Sequence, residues 1–193
     1  WALGRRKDGE DSYGVQVAPS SHWQDIVDVV VITDARRKKT SSKEGMENAM
    51  RTSSCMACRA MKIAPRIRAV EKAIRKKNFS ALALNAMQDS NSMHSTCLDS
   101  WPPVFYMNDI SKEIVYAVHE LNEGAGRIIA AYTFDAGPNA HIITTRKHVA
   151  KVRAALAKVG GVQKLIVAQI GDGVEISKIG RKDIEKLLRK HGN

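Results

Sequence analysis

Between Asp25 and Thr33 the chain reads Asp-Ile-Val-Asp-Val-Val-Val-Ile-Thr, a β-branched run almost unbroken in apolarity. Branched side chains crowd the preceding turn of a helix but stand well on a pleated surface. A run this apolar has little to offer water, which predicts a buried strand. The rest of the fold has to cover it.

Residues 1–24 are polar and irregular, with weak strand character over 13–17. After a polar connection over 36–42, a helix is predicted from Ser42 or Lys43, with Glu44 near its positive end. Ile67, Val70 and Ile74 share one helical face behind Pro65, a residue suited to a first turn. Asn78 is placed to cap the next helix, on which Phe79, Leu82, Ala86, Met87, Ser90 and Met93 recur at helical spacing. That helix has to end before Trp101-Pro102-Pro103, because a residue preceding proline is pushed out of α geometry. Beyond an extended stretch at 104–107, Asp109 or Ser111 caps a helix that aligns Ile114, Val118 and Leu121 and stops at Gly124.

Residues 127–134 and 140–144 read as two strands about the tight loop Asp135-Ala136-Gly137-Pro138-Asn139. Val149, Val152, Leu156 and Val159 mark a helix closed by Gly160-Gly161. A strand over 164–170 and the turn Gly171-Asp172-Gly173 follow, and a short basic helix is predicted from about Asp183. With the helices between 43 and 123 taken as one expanded layer, the order is β-α-β-β-α-β. This is an α+β, ferredoxin-like split β-α-β, with an antiparallel sheet and helices mainly on one face.

At 193 residues and 44% hydrophobic, the chain is long enough for one domain, or one domain with a piece of a neighbour. No apolar run is long enough to span a bilayer, and nothing near Trp1 resembles a signal peptide. The opening Trp1-Ala2-Leu3-Gly4 is expected to be cut from something longer. A net charge of +11 attracts polyanions: nucleic acid, an anionic membrane surface or phosphorylated small molecules. Only 5% of residues are aromatic, a poor supply for stacking single strands, and solvated basic faces are the plainer reading. Three cysteines are too few for a disulfide framework and suit a reducing compartment. Cys55-x-x-Cys58 lacks a second ligand pair and a preceding thioredoxin-like strand. In an alanine- and methionine-rich helix these thiols are expected to pack as small hydrophobes.

Asp135 is the strongest local candidate for chemistry, because a strand end holds a carboxylate rigidly while leaving it facing a ligand. Gly137 permits close backbone approach or positive φ, and Pro138 fixes the turn. The commoner role for such an aspartate is an Asx-turn within its own loop, and pattern alone favours that role. Ser41 and Ser42 precede a helix start, where hydroxyls cap and backbone N–H groups can also meet a phosphate. His94, beside Met93 on an apolar face, reads as a satisfied core histidine. There is no Walker loop and no ligand cluster with metal spacing.

The segment from Asp89 through Asn91, His94, Thr96, Cys97 and Asp99 to Pro103 resembles the D-S-N-x-x-H-x-T-C-L-D-[ST]-[FW]-P-P motif of eukaryotic mevalonate diphosphate decarboxylases. Ala131-Tyr132-Thr133-Phe134-Asp135-Ala136-Gly137-Pro138-Asn139-Ala140 is similar to their A-Y-T-F-D-A-G-P-N-A loop without a mismatch. Gly160-Gly161-Val162-Gln163 and Gln169-Ile170-Gly171-x-Gly173 resemble the surroundings of their last strand. Asp11-Ser12, Gln16-Val17-Ala18 and Ser21-His22-Trp23 resemble the stretch before their C-terminal domain.

The resemblance implies the C-terminal domain of a GHMP kinase fold over 25–193, with 1–24 a remnant of the N-terminal domain. It implies ATP-dependent decarboxylation of mevalonate 5-diphosphate to isopentenyl diphosphate, a step of isoprenoid and sterol biosynthesis. Asp135 would be the general base for the 3-hydroxyl proton. Ser41 and Ser42 would contact substrate, and His94, Gly137 and Asn139 would lie in the pocket. Lys43 stands where eukaryotic members often carry threonine. The family's phosphate loop and the arginine that orients the catalytic aspartate belong upstream. ATP and Mg²⁺ would therefore be held mainly outside this chain, and the chain alone is expected to be inactive. A cytoplasmic, homodimeric full-length enzyme with no nucleic-acid or membrane partner is expected. The alternative is a noncatalytic basic module binding polyanions such as nucleic acid. A phosphomevalonate kinase is disfavoured by the D-A-G-P-N loop.

Overall fold

The computed structural model describes residues 2, 4–6, 8–36 and 39–173. The β-branched run forms β1 (Ile26–Ile32), paired antiparallel on one side with β3 (Ala140–Thr145) and on the other with β4 (Lys164–Gln169). β2 (Ala130–Phe134) lies beyond β3, so the four strands run in the order β2-β3-β1-β4. This is the strand order of the split β-α-β arrangement.

Side chains alternate across a strand, so the pairing of Val29 with Ile142, and of Ile142 with Tyr132, sets one continuous face. Val27, Val29, Val31, Ala140, Ile142, Tyr132 and Phe134 are buried there, and a one-residue slip would turn them all outward. On the opposite face Ile26, Asp28, Val30 and Ile32 are only half-buried. The unbroken apolarity of the run therefore overstates its burial: β1 is an interior strand covered fully on one side.

Five helices complete the described fold: α1 (Ser42–Thr52), α2 (Met56–Arg75), α3 (Phe79–Leu98), α4 (Asp109–Gly124) and α5 (Val149–Leu156). Ala83 and Met87 of α3, Ile114, Val118 and Leu121 of α4, and Val152 and Leu156 of α5 close over the buried face. Ile114, Val118, Val152 and Leu156 are wholly inaccessible. Burial of such side chains stabilises by about 1.5–3 kcal/mol each. Asn78 caps α3 by accepting the Ala81 N–H at 3.1 Å. α4 is capped by Asn108, with Ser111 completing the capping box, where Asp109 or Ser111 is predicted from sequence. No helix among the described residues is long and apolar enough to cross a membrane.

Several local expectations are corrected. Pro65 lies inside α2 and does not open it. Arg59 and Arg66 straddle it and grip the same Asp89 carboxylate of α3, at 3.0 and 2.9 Å, which holds the helix together across the proline. The acceptor Pro65 leaves without an N–H is the carbonyl of exposed Met61, which water can reach. α4 stops at Gly124 as expected, but the left-handed turn after it falls to Gly126 (φ 61°).

The Asn122 side chain then accepts the N–H groups of Ile129 and Ala130 at 2.8 and 3.0 Å, so β2 begins at Ala130 and not at 127. The 13–17 stretch forms only an isolated bridge from Tyr13 to Ala2. The segment before β1, polar and irregular in sequence, is tied by His22 to the Ile74 carbonyl (3.0 Å) and by Ser20 to Asp172 (2.7 Å). Cys55 and Cys58 are exposed at the start of α2 and not packed; Cys97 is the buried thiol. The basic helix predicted from Asp183 lies outside the described residues.

Candidate functional site

β1 and β2 both flank β3 antiparallel, so their C-terminal ends emerge at one edge of the sheet. Asp135 follows directly on β2 and is exposed. The residue before it is fixed twice. The Phe134 N–H donates to the buried Ser90 hydroxyl at 3.0 Å, and its ring is 2% exposed. Gly137 N–H closes the loop onto the Asp135 carbonyl at 2.7 Å. The Pro138 carbonyl accepts from the hydroxyls of Thr33 (3.1 Å) and Ser111 (2.9 Å). Asn139 does the most: its Oδ1 accepts the N–H groups of Thr33 and Asp34 at 2.8 and 3.1 Å, and its Nδ2 donates to the Asp34 carbonyl at 3.0 Å.

The loop is therefore braced by β1, α3 and α4 through groups other than the Asp135 carboxylate. Asn139 is a brace of this loop. Gly137 has neither positive φ nor a crowded Cβ position; the space a side chain would enter is open. Next to Asn139, Asp34 is held down to about 2 by hydrogen bonds from the Arg36 side chain and backbone.

Ser41 is the N-cap of α1, its hydroxyl accepting the Glu44 N–H at 3.2 Å, and Ser42 is the first helical residue. The Ser41 carbonyl accepts from Gly45 N–H at 3.0 Å and from the Tyr106 hydroxyl at 2.9 Å. Gly45 is buried, and a Cβ there would strike that hydroxyl. Lys43 is exposed and reaches Glu47 only at 3.9 Å, which leaves its charge to solvent.

His94 joins the two segments. Its ring meets Tyr106 edge-on at 6.3 Å and Phe134 edge-on at 6.1 Å. Burial pushes its pKa below the usual histidine value, although the Phe134 backbone and the Asp135 charge pull upward. Its Nε2 is buried with no hydrogen-bond partner among the described residues, so the core histidine expected from sequence is satisfied at most on its other ring nitrogen. His94 and Tyr106 line a cavity of about 280 Å³ with Asn91, Leu98 and Phe105. Asp135 lines another of about 320 Å³ with Asp28, Thr133 and His141.

The structure thus links Ser41, Tyr106, His94, Phe134 and Asp135 in one chain of contacts. The roles of Tyr106 and Thr33 were not legible in sequence, and Ser90 and Ser111 were legible only as a helix-face residue and a cap candidate. Thr33 meets Asn139 across 106 positions, and Tyr106 sits in an irregular stretch with no periodicity to mark it. Chemically, the arrangement offers an exposed carboxylate on a rigid strand end and a serine-capped helix start able to face an anion. It offers no metal donor set: no group of three or more His, Cys, Asp or Glu among the described residues is placed to hold an ion.

Residues 28–173 match the family described as the mevalonate 5-diphosphate decarboxylase C-terminal domain. The chain is 49% identical over 148 residues to a diphosphomevalonate decarboxylase of Aspergillus fumigatus, a match covering 76% of the chain and 37% of that relative. A crystal structure of mevalonate 5-diphosphate decarboxylase superposes with a TM-score of 0.81 at 33% identity, covering 94% of this chain and 57% of that one. The same fold recurs at 24% identity, with a TM-score of 0.73 over 82% of this chain and 48% of the other, in a protein described in complex with MVAPP, AMPPCP and magnesium. The chain thus spans less than two thirds of the length of these proteins.

Proposed function

The chain belongs to the mevalonate 5-diphosphate decarboxylase family through the C-terminal domain of that enzyme, and from this we propose that Asp135 is the general base of an ATP-dependent decarboxylation of mevalonate 5-diphosphate. The observation that carries the reading is the braced strand end. Asp135 projects from a loop fastened by Ser90, Thr33, Ser111 and Asn139, as a group that must reach a substrate hydroxyl with little play has to be.

In the proposed reaction Asp135 takes the proton of the 3-hydroxyl as that oxygen attacks the terminal phosphorus of ATP, releasing ADP. The new phosphate then leaves as the carboxylate breaks away as CO₂, and the electron pair of that bond forms the double bond of isopentenyl diphosphate. Positioning and charge stabilisation supply most of the catalysis in such transfers. Ser41, Ser42 and the start of α1 are assigned to the substrate side.

ATP and Mg²⁺ do not fit the described residues, which hold no phosphate loop and no metal donor set. We assign both to the part of the longer enzyme that this chain does not span. We also assign residues 1–24 to the neighbouring domain and 25–193 to this one, and the full-length enzyme to a homodimer in the cytoplasm. Three free cysteines, two of them exposed, suit that reducing compartment. The net charge of +11 alone speaks for the polyanion-binding alternative, and the family match does not favour it.

The test uses an enzyme of the relatives' full length that carries this chain. Asp135→Asn is expected to lower kcat on the order of 10²- to 10⁴-fold while binding mevalonate 5-diphosphate within about threefold of the parent. Turnover at the parent rate would show that another group takes the proton.

A further inference from the structure

We propose that Tyr106 and His94 form a two-ring strut that sets the distance between the Ser41–Ser42 helix start and Asp135, and so act as positioning residues for the reaction. The inference rests on the reading above for its functional consequence but not for its structural content. Tyr106 is 7% exposed and sits in an irregular segment, with no helix or strand of its own to fix it. It is fixed instead at its two ends. The hydroxyl donates to the Ser41 carbonyl, the acceptor that also receives the first hydrogen bond of α1. The ring meets the edge of His94, and His94 in turn meets Phe134, whose next residue is Asp135.

Two further observations point the same way. Gly45 is buried against Tyr106, and any side chain there would displace the hydroxyl, so α1 is shaped to receive it. Nε2 of His94 is buried without a partner among the described residues, an arrangement that costs free energy. The imidazole is held against the residue that carries Asp135. Together the contacts form a path from one candidate substrate segment to the candidate base, made of rigid rings with few rotamers. A shift of either end is transmitted to the other.

Two measurements test this. In the first, the 193-residue chain is labelled and the backbone amide resonances of Tyr106→Phe are compared with the parent. This substitution removes one hydroxyl and keeps the ring. Resonances around 41–45 and around 134–136 are expected to move together. Movement confined to 41–45 would overturn the strut, whatever the chemistry at Asp135.

In the second, the full-length enzyme is assayed under single-turnover conditions. Tyr106→Phe is expected to lower the rate about tenfold, the worth of one hydrogen bond, with KM for mevalonate 5-diphosphate within about twofold. In an Asp135→Asn background the same change is expected to add almost nothing, because the group it positions is gone. An equal loss in both backgrounds would show that Tyr106 acts elsewhere and would also overturn the proposal. Full turnover of Asp135→Asn itself, with coupled resonances in the first experiment, would instead sink the assignment of the base and leave the strut standing. Gly45→Ala is expected to reproduce the Tyr106→Phe phenotype, and adding Tyr106→Phe to it is expected to recover part of the lost stability. A purely destabilising Gly45→Ala, with coupling to Asp135 absent, counts against the strut.

Discussion

Replacing Asn139 with alanine removes three hydrogen bonds to backbone groups at the end of β1, and a longer one from the Thr33 hydroxyl (3.4 Å), which shares its proton with the Pro138 carbonyl. The costs differ. Thr33 is 4% exposed, so its N–H, now without the Asn139 oxygen at 2.8 Å, has no water to turn to. A buried donor left in that state costs about 1–3 kcal/mol. The N–H and carbonyl of Asp34 lie at a half-buried position where water substitutes in part. Each of those bonds is worth about 0.5–1 kcal/mol net. The sum is about 3 kcal/mol, which in a chain of this size lowers Tm by roughly 6–12 °C.

The loop does not come away altogether, because the Pro138 carbonyl keeps the hydroxyls of Thr33 and Ser111. The assay is equilibrium unfolding of parent and variant in guanidinium at neutral pH, followed by circular dichroism. The midpoint is expected to fall with an unchanged slope, since the surface exposed on unfolding is nearly the same. A loss below about 1 kcal/mol would refute the reasoning, because it would mean that the Thr33 N–H finds water or another acceptor and that Asn139 braces nothing.

Two further outcomes are expected. The Asp99 carboxyl, held at about 2 by the Cys55 N–H and the hydroxyls of Ser53 and Ser54, is depressed in the folded chain, so its contribution to stability is complete above the unfolded value near 3.9 and is lost as pH falls toward about 2. The guanidinium midpoint should fall across that window, and Asp99→Asn should flatten part of the fall; an unchanged pH profile in that variant would place the acid sensitivity elsewhere. With a chromogenic disulfide reagent, exposed Cys55 and Cys58 should react in the native chain and buried Cys97 only on unfolding, with Cys55 the slower of the first pair because the Asp99 hydrogen bond pushes its thiol pKa up. Rapid modification of all three thiols would contradict the packing of α3.

The topology was legible because it depends on patterns a sequence displays locally. β-Branched runs gave the strands, helical spacing gave α3 and α4, and the glycine–proline loop gave the β2–β3 turn. What failed were local rules overridden by distant partners. Pro65 reads as a helix start until Arg59 and Arg66 are seen holding one carboxylate across it. Asp135 reads as an Asx-turn residue until Asn139 is seen holding the loop in its place. Cys55 and Cys58 read as packing thiols because alanine and methionine surround them, but that side of α2 faces outward, with Met61 exposed beside them. Asp135, Ser41 and Ser42 stood out locally, but the roles proposed for them came from motif resemblance, since nothing local distinguishes Ser41 as a substrate contact from Ser41 as a cap, and structurally it is a cap.

The long motif on α3 becomes intelligible once its targets are known. Asp89, Ser90 and Asn91 are consecutive and so point in three directions around the helix, about 100° apart. Asp89 takes the two arginines of α2, Ser90 takes the Phe134 N–H, and Asn91 donates to the Tyr132 hydroxyl at 3.0 Å. His94, four residues after Ser90, returns to the face of Ser90 one turn along and meets the Phe134 ring. Ser90 and His94 therefore hold the same strand end at two points a helical turn apart, while Asp89 anchors the helix from behind. An extra residue between Asn91 and His94 would leave every individual hydrogen bond of Asp89 and Ser90 possible and still turn His94 about 100° away from Phe134. The spacing of the motif carries the geometry as much as its residues do, and Asp135 inherits its position from that spacing.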